Sequence, residues 1–123
     1  MTQEEKDILL KDLCARLPYG VKCKYHHIQY IENGEIIDIN RFGRVNIDGH
    51  IKDVCDIKPY LFPLSSMTEE QEIEHNILWE NTFIHRINGC MNKLNEFYKE
   101  NHLDNNGLIP MGLAIDCTNL NIY

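Results

Sequence analysis

The apolar and polar positions of the chain follow two different periods, and the change between them divides it into regions. Near the N-terminus, Leu9, Leu13 and Leu17 recur at helical spacing, which predicts an amphipathic helix over residues 1–19. A capping box at Thr2-Gln3-Glu4-Glu5 begins this helix, and Pro18 ends it. Its charged side chains are expected to stay in solvent: Glu4, Lys6, Asp7, Lys11 and Asp12.

Beyond this helix the apolar residues change to a period of two. Cys23 and Tyr25 alternate with polar neighbours, which predicts a strand with one buried face. Asn33-Gly34 and Asp48-Gly49 each match the two-residue turn of a tight hairpin. The pattern predicts four or five short antiparallel strands in meander order, rolled into a small SH3-like or Tudor-like half-barrel.

A joint at residues 53–71 separates the strand region from a helical region. Pro59 and Pro63 remove two backbone donors, which argues against a central strand or a helix in this stretch. We expect an irregular, apolar crossing that packs between the two halves. Its apolar side chains should be largely buried: Tyr60, Leu61, Phe62 and Leu64. Overlapping capping boxes from Ser66 to Gln71 then predict a helix start.

The region after the joint has helical periodicity. It predicts one long helix from about Thr68 to Glu100, or a kinked helix pair that breaks at Asn88-Gly89. The predicted stripe consists of Ile73, Ile77, Ile84, Ile87, Met91, Leu94 and Tyr98, widened by Phe83, Cys90 and Phe97. Trp79 lies off the stripe and is expected to be buried. The apolar tail from Leu108 to Ile115 should dock on the core.

Together these elements predict an α+β fold in a single domain, residues 1–123. Its parts are the N-terminal helix (1–19), the β-meander and joint (20–64) and the helical half with its docked tail (65–123). The chain has 43% hydrophobic and 25% charged residues, which is typical of a globular domain. No apolar run approaches the roughly 20 residues of a membrane span, and the acidic N-terminus is unlike a secretory signal. We therefore expect a cytoplasmic protein without a membrane partner.

Catalytic and metal-binding residue sets do not stand out in the sequence. His26 and His27 are neighbours on a predicted strand, so their rings point to opposite faces and cannot chelate one ion. His75 and His85 have a spacing unsuited to a two-histidine helical site. We expect no catalytic residue, no metal and no cofactor. The remaining enzyme hypothesis is a cysteine-dependent activity, for which Cys55 beside the joint is the candidate.

The polar face of the predicted sheet is the candidate ligand site. It consists of Lys22, Lys24, Tyr25, Tyr30, Arg41 and Arg44. The four cations would donate charge-assisted hydrogen bonds to a small anionic ligand, and a tyrosine ring would stack on a base. The alternative is an ordinary solvated sheet face that nearby carboxylates balance.

The charge distribution disfavours nucleic acid as a partner. The formal net charge is −7, and the six basic residues of positions 20–64 are matched by six acidic ones. Binding through phosphates needs a basic stripe, so a nucleic-acid-associated small-barrel regulator is only the alternative function. The apolar helix stripe is wider than a half-barrel needs to cover it. We therefore expect a homo-oligomer that uses the long helix.

Three blocks of the sequence carry a resemblance to other proteins: LLKDLCARLPYGVKCKY (9–25), KPYLFPLSSMTEEQ (58–71) and GLIPMGLAI (107–115). They resemble a family of small proteins of gut bacteria and their phages or prophages. In that family an aromatic residue and an arginine commonly precede the tail glycine, where this chain has Asn105 and Asn106. The resemblance implies a phage or mobile-element accessory protein in a bacterial cytoplasm, of a kind that often has an anti-defence role.

These observations favour a non-catalytic binding protein that sequesters a host molecule. Two target classes fit. One is a small anionic, nucleotide-like signal bound at the strand face. The other is a host protein whose basic surface would meet the acidic helix face of Glu72, Glu80 and Glu96.

Overall fold

The computed structural model of the protein describes residues 1–26 and 31–123. Its first helix is α1 (Gln3–Arg16), and the predicted capping box is present. The Glu5 N–H donates to Thr2 Oγ1 and the Thr2 N–H donates to the Glu5 carboxylate, both at 3.1 Å. A short 3-10 turn (Leu17–Tyr19) follows and ends at Gly20, which has a φ of 76°. The N-terminal helix is therefore confirmed.

The described strands form one open sheet. Their bounds are Lys22–His26 (β1), Ile31–Ile39 (β2), Arg44–Ile47 (β3), His50–Asp53 (β4), Ile57–Leu61 (β5) and Ile115–Asp116 (β6). Their order in the sheet is β4-β3-β2-β1-β5-β6. All neighbours are antiparallel except β5 and β6, which are parallel. The α+β class is confirmed, but the sheet is mixed rather than a purely antiparallel meander. The SH3-like or Tudor-like curvature stays a prediction.

The predicted hairpin turn at Asn33-Gly34 is wrong, because both residues lie inside β2. Asn33 is paired with Lys24, and Gly34 with Cys23. Gly34 does not have a left-handed φ, and a Cβ at this position would lie 2.6 Å from Ile47 Cγ2. Glycine is required here for close packing rather than for a turn. Residues 27–30, which connect β1 to β2, lie outside the described residues.

The second predicted hairpin is confirmed. Asp48 and Gly49 connect β3 to β4, and their φ values are 50° and 94°. Two positive φ values in succession define the tight turn that matches the twist of the flanking strands. The Asn46 side chain adds to the turn, because its Oδ1 accepts a hydrogen bond from the Gly49 N–H at 2.9 Å.

The joint is not the predicted irregular crossing, because β5 runs through Pro59. β1 pairs with Pro59 on one side, whereas β6 pairs only with Tyr60 and Leu61. Pro59 thus has a strand on one side only, and its missing N–H is tolerated as at a sheet edge. Tyr60 and Leu61 are buried as expected and Phe62 is half-buried, but Leu64 is exposed, so the burial prediction is wrong for Leu64.

The helical half is a pair of helices, α2 (Glu69–Phe83) and α3 (Cys90–Glu100). A capping box between Thr68 and Gln71 begins α2, as predicted. Gly89, with a φ of 85°, precedes α3. The prediction of a single long helix is therefore wrong. The alternative, a helix pair with a break at Asn88-Gly89, is confirmed.

The predicted apolar stripe is divided between the core and the surface. On α3, Leu94 and Phe97 are buried, whereas α2 has no buried residue. The exposed residues of the stripe include Ile73, Ile77, Phe83, Ile84, Ile87 and Met91. Trp79 is 43% exposed, so its predicted burial is wrong. The prediction of one continuous buried stripe is wrong, because α2 and α3 are separate helices and do not share one face.

The main core lies between α1, the sheet and the C-terminal tail. Its members are Leu9, Leu13, Val21, Cys23, Tyr25, Ile36, Val45, Ile47, Val54, Ile57, Leu61, Leu108, Leu113 and Ala114. Leu108 is fully buried and the following segment supplies β6, so the docked tail is confirmed. Each fully buried leucine or isoleucine stabilises the fold by about 1.5–3 kcal/mol relative to an exposed one.

Candidate functional site

The strand-face residues predicted to bind a ligand lie in different environments. Lys22 and Lys24 lie half-buried on the outer side of β1. Tyr25 lies on the core side, is 2% exposed, and donates a hydrogen bond from Oη to the Glu32 carboxylate at 2.7 Å. The prediction that Tyr25 offers a stacking face is therefore wrong. Tyr30 lies outside the described residues.

Arg41 and Arg44 lie at the opposite end of the sheet from Lys22. Lys22 is paired with Glu35 of β2, whereas Arg44 is adjacent to Asn40, whose N–H donates to the Arg44 carbonyl at 3.0 Å. The stretch from Glu35 to Asn40 spans about 16 Å at the usual rise per strand residue. The fold therefore does not bring the four predicted cations together around one small ligand.

Lys24 and Lys58 border a recess beside β5. Its volume is about 510 Å³, and its lining is Lys24, His26, Cys55, Asp56, Ile57, Lys58 and Ile115. The two lysines are directly opposite each other on neighbouring strands. Lys22 is already engaged, since its Nζ donates to the Ile122 carbonyl at 2.9 Å. The strand face thus offers separate cations and no assembled site.

A larger groove lies between α1 and α3. Its volume is about 650 Å³, within the range of about 300–1,000 Å³ that small-molecule sites occupy. The lining residues come from α1 and the following turn, from α3, and from the turn after α3: Ile8, Lys11, Asp12, Ala15, Tyr19, Asn92, Asn95, Glu96, Lys99, Asn105 and Asn106. We call this cavity the α1–α3 groove.

The floor of the groove is part of a buried charge cluster centred on Asp12, in which Arg16 lies behind the lining residues. Arg16 Nε donates to Asp12 Oδ2 at 2.7 Å, and Lys99 Nζ donates to Oδ1 at 3.2 Å. Asn106 Nδ2 also donates to Oδ1, at 2.7 Å. Asn105 Oδ1 accepts from Lys99 Nζ at 2.9 Å. Asp12 is 2% exposed, so its predicted location in solvent is wrong.

Three segments of the chain meet in this cluster: α1, the last turn of α3 and the segment that follows α3. Asp12 and Arg16 are one helical turn apart on α1 and share the face that buries Leu13. Lys99 occupies the last turn of α3, where the helix dipole favours a cation. Arg16 Nη2 donates to the Leu103 carbonyl at 2.7 Å, which joins α1 to the segment after α3.

The charged groups of the cluster perturb one another. Burial alone would raise the pKa of Asp12, but the hydrogen bond and charge of Arg16, with further contributions from Lys99 and Asn106, hold it below its usual value. Burial lowers the pKa of Lys99, and so does the charge of Arg16, whereas Asp12 acts in the opposite direction. The carboxylate form of Asp12 is therefore strongly favoured.

The carboxylate of Asp12 is shared between two cations. Arg16 and Lys99 share the single carboxylate of Asp12. The nearby carboxylate of Asp104 is engaged, since it accepts two backbone N–H groups at 2.8 and 2.9 Å. Arg16 Nη1 is buried and has no hydrogen-bond partner in the described part of the chain. An anionic group that enters the groove would meet two lining cations, Lys11 and Lys99, beside the carboxylates of Asp12 and Glu96.

The walls of the groove can bind planar and polar groups. Tyr19 supplies an aromatic ring from the turn after α1, and Asn92 and Asn95 place two amides one helical turn apart on α3. Each amide can both donate and accept hydrogen bonds. Lys11 adds a cation to the α1 wall, and Glu96 adds a carboxylate to the α3 wall. A planar, polar ligand with an anionic group matches this arrangement.

Cysteine and histidine residues do not form a reactive cluster in residues 1–26 and 31–123. Cys55 is exposed, but its pKa is raised by partial burial and by the hydrogen bond and charge of Asp53, so its thiol is not activated. No group of three or more metal-ligating side chains occurs in these ranges. His27, predicted not to form a metal site with His26, lies outside them. Among the described helices, none is long and apolar enough to cross a membrane.

The groove was not predictable as a site from local motifs, although one signal was present. Asp12 and Arg16 stand at the same three- and four-residue spacing as Leu9 and Leu13, which places all four on one buried face. Lys99 gives no local signal, because its partner Asp12 is 87 residues away.

Comparisons with known proteins do not identify a family for this chain. No family model, no curated protein and no solved structure matches the chain. The resemblance carried by the three sequence blocks therefore stays an expectation. The function has to be inferred from the α1–α3 groove and the surfaces around it.

Proposed function

We propose that the protein is a non-catalytic binding protein whose α1–α3 groove sequesters a small, planar, anionic ligand of the nucleotide class. The observation that carries the proposal is the buried ammonium of Lys99 on the groove floor, which Asp12 and Asn105 hold in place. The ligand class is one of the two target classes that fit the sequence. The proposed site moves from the strand face to the groove.

In this proposal the floor binds the anionic group of the ligand. The Lys99 ammonium has three donors, of which Asp12 and Asn105 accept two, so one remains for a ligand oxygen. The two acceptors also hold the ammonium in place before the ligand arrives. Little side-chain entropy is then lost on binding, which favours affinity. Lys11 would add a second charge-assisted contact from the α1 wall.

The walls of the groove would bind the planar part of the ligand. Tyr19 would stack on a base, a contact worth about 1–3 kcal/mol and nearly independent of base identity. Asn92 and Asn95 would then select among bases, because an amide pairs its donor and acceptor with a base edge. Discrimination between ligands is expected to come mostly from these amides.

The alternative targets rest on fewer observations. Glu72, Glu80 and Glu96 are exposed, as a steering surface for a basic host protein requires. A phage or anti-defence setting would follow from the sequence resemblance. Nucleic acid stays the alternative ligand and has the weakest support, because the net charge is −7.

The first prediction concerns the groove and is tested by calorimetry against a panel of mono-, di- and cyclic nucleotides. Lys11→Met should weaken binding about tenfold or more, since a hydrogen bond to a charged group contributes about 1.5–3 kcal/mol. Asn95→Ala should weaken it by up to about tenfold, since a neutral hydrogen bond contributes about 0.5–1.5 kcal/mol. Both side chains line the groove without belonging to the buried cluster. The variants should therefore fold normally.

Matched controls distinguish the groove from the strand face. Lys93→Met removes an exposed α3 cation that is not among the groove residues, and it should leave the affinity unchanged. Lys24→Ala and Arg44→Ala should do the same. Loss of binding in these two variants, with no change in Lys11→Met, would return the site to the strand face. No heat with any nucleotide would overturn the ligand class.

A further inference from the structure

The outer face of α2 is apolar and open. It consists of Ile73, Ile77, Trp79, Phe83 and Ile84, whose exposed fractions range from 43% to 62%. The opposite side of the helix contacts α3 through polar groups: Gln71 Nε2 donates to Asn101 Oδ1 at 3.1 Å, and a ring nitrogen of His75 lies 2.8 Å from Tyr98 Oη. An amphipathic helix normally directs its apolar side inward. In α2 the apolar side is directed outward.

The apolar residues of this face are arranged in rows. Ile73, Ile77 and Ile84 follow intervals of four and seven residues, which places them on one line along the helix, and Glu80 lies on the same line between Ile77 and Ile84. Trp79 and Phe83 both lie to one side of this line, and their rings are 5.2 Å apart. Such a ridge is the surface that helices use to pack against another helix.

We propose that the α2 outer face binds the same face of a second copy, in an antiparallel two-fold homodimer. This goes beyond the ligand proposal, because none of its residues lines the α1–α3 groove. In a two-fold dimer the same surface is used by both copies and must be complementary to itself. The apolar ridge meets this condition. The charges around it indicate whether the two α2 helices run parallel or antiparallel.

The charges at the two ends of α2 are opposite in sign. Its N-terminal half carries Glu69, Glu70, Glu72 and Glu74, its C-terminal half carries Glu80, and the helix contains no Lys or Arg. Arg86 and Lys93 follow its C-terminal end, and both are exposed. An antiparallel pair places the acidic end of each helix beside the basic end of the other, whereas a parallel pair would place like charges together. The helix dipoles also favour the antiparallel arrangement.

The size of the patch fits a dimer interface. Ile87 and Met91, at 52% and 46% exposure, extend it beyond the end of α2. Together, the seven large side chains at about half exposure present an apolar surface on the order of 600–700 Å². This exceeds most apolar patches of monomers, about 300–600 Å², and approaches the roughly 800 Å² that each partner buries in a standard interface.

The second prediction follows from this dimer and is tested by sedimentation equilibrium over a wide concentration range. The unmodified protein should self-associate to a dimer, and Ile77→Lys should raise the dimer dissociation constant at least about tenfold because it places a charge on the ridge. Ile37→Lys is the matched control, since Ile37 is an isoleucine of β2 that is 58% exposed while Ile77 is 54% exposed. It should leave the dimer intact.

A charge exchange tests the direction of the helices. Glu70→Lys and Arg86→Glu should each weaken the dimer, and the double variant should restore it, because Glu70 lies on the isoleucine line near the start of α2 and the antiparallel pair brings that end beside Arg86 of the second copy. A strict monomer at every concentration, or equal effects of Ile77→Lys and Ile37→Lys, would overturn the proposal. Loss of each charge without rescue in the double variant would exclude the antiparallel arrangement. Ile77→Lys should still bind the groove ligand, so the two proposals can fail separately.

Discussion

The helices α1 and α2 begin in the same way and lie in opposite environments. They have 14 and 15 residues, and each starts with a threonine capping box. α1 nevertheless buries Leu9, Asp12, Leu13 and Arg16, whereas α2 buries none of its residues. The face of α1 that packs inward contains an ion pair, and the face of α2 that is exposed contains isoleucines.

The difference shows that helix formation and helix burial have separate causes. A capping box acts across four neighbouring residues, so the local sequence determines where a helix begins. Burial depends on what lies opposite each face after the chain has folded. The face of α1 lies against the sheet and the turn after α3, whereas the apolar face of α2 has no counterpart within the described residues. The proposed dimer would provide that counterpart.

The third prediction contrasts one carboxylate from each helix and has the largest expected effect. Asp12→Asn leaves Arg16 and Lys99 buried without a counter-charge, and removal of one partner from a buried ion pair costs about 3–5 kcal/mol. Glu80→Gln on the exposed face of α2 should change the free energy of unfolding little. Urea denaturation at low protein concentration measures both. Similar small effects in the two variants would show that the cluster around Asp12 is hydrated.

The pH dependence gives an independent measurement of the same group. The pKa of Asp12 is lowered in the folded state, so its contribution is fully present above the pKa of the unfolded chain, about 3.9, and is lost as the pH falls through the folded value. The protein should therefore lose stability below about pH 4. The Asp12→Asn variant lacks this carboxylate, so its free energy of unfolding should fall less over the same pH range than that of the unmodified protein.

The fourth prediction contrasts one apolar residue from each helix. Leu13 is fully buried, and Leu13→Ala should lower the free energy of unfolding by about 2–5 kcal/mol through lost burial and a new cavity. Ile77→Ala should change it by no more than about 0.5 kcal/mol in the dissociated protein, since Ile77 is 54% exposed. Thermal unfolding at low concentration measures both. A large loss in Ile77→Ala under these conditions would place that residue in a core of the monomer.

Local patterns predicted most of the elements of this fold. The capping boxes at Thr2 and Thr68 begin helices, and Asp48-Gly49 forms a hairpin turn with the required positive φ values. α3 begins after Gly89, which is in the left-handed region, whereas α2 already ends at Phe83. In each of these cases the physical cause lies within a few residues of its effect.

Features that depend on distant residues were predicted incorrectly or missed. Gly34 is glycine because Ile47 of another strand approaches it, and this contact is not visible in a dipeptide pattern. Pro59 fits in β5 because its neighbour β6, from the tail, begins only opposite Tyr60. The groove floor requires Asp12 and Lys99, which are 87 residues apart. The candidate site therefore became visible only in the folded chain.

The fifth prediction contrasts the two caps and has the smallest expected effect. Thr2→Ala and Thr68→Ala each remove an equivalent side-chain acceptor, which costs about 1 kcal/mol of helix stability. Because α1 is part of the core, the loss at Thr2 should lower the global free energy of unfolding. The loss at Thr68 should instead speed hydrogen exchange at the first amides of α2, which packs only partly against α3, and leave global unfolding nearly unchanged.

At concentrations where the dimer forms, exchange in α2 of Thr68→Ala should slow again. Equal global destabilisation by both variants in the dissociated protein would show that α2 unfolds together with the core, and the contrast between the two helices would then be one of exposure rather than of stability.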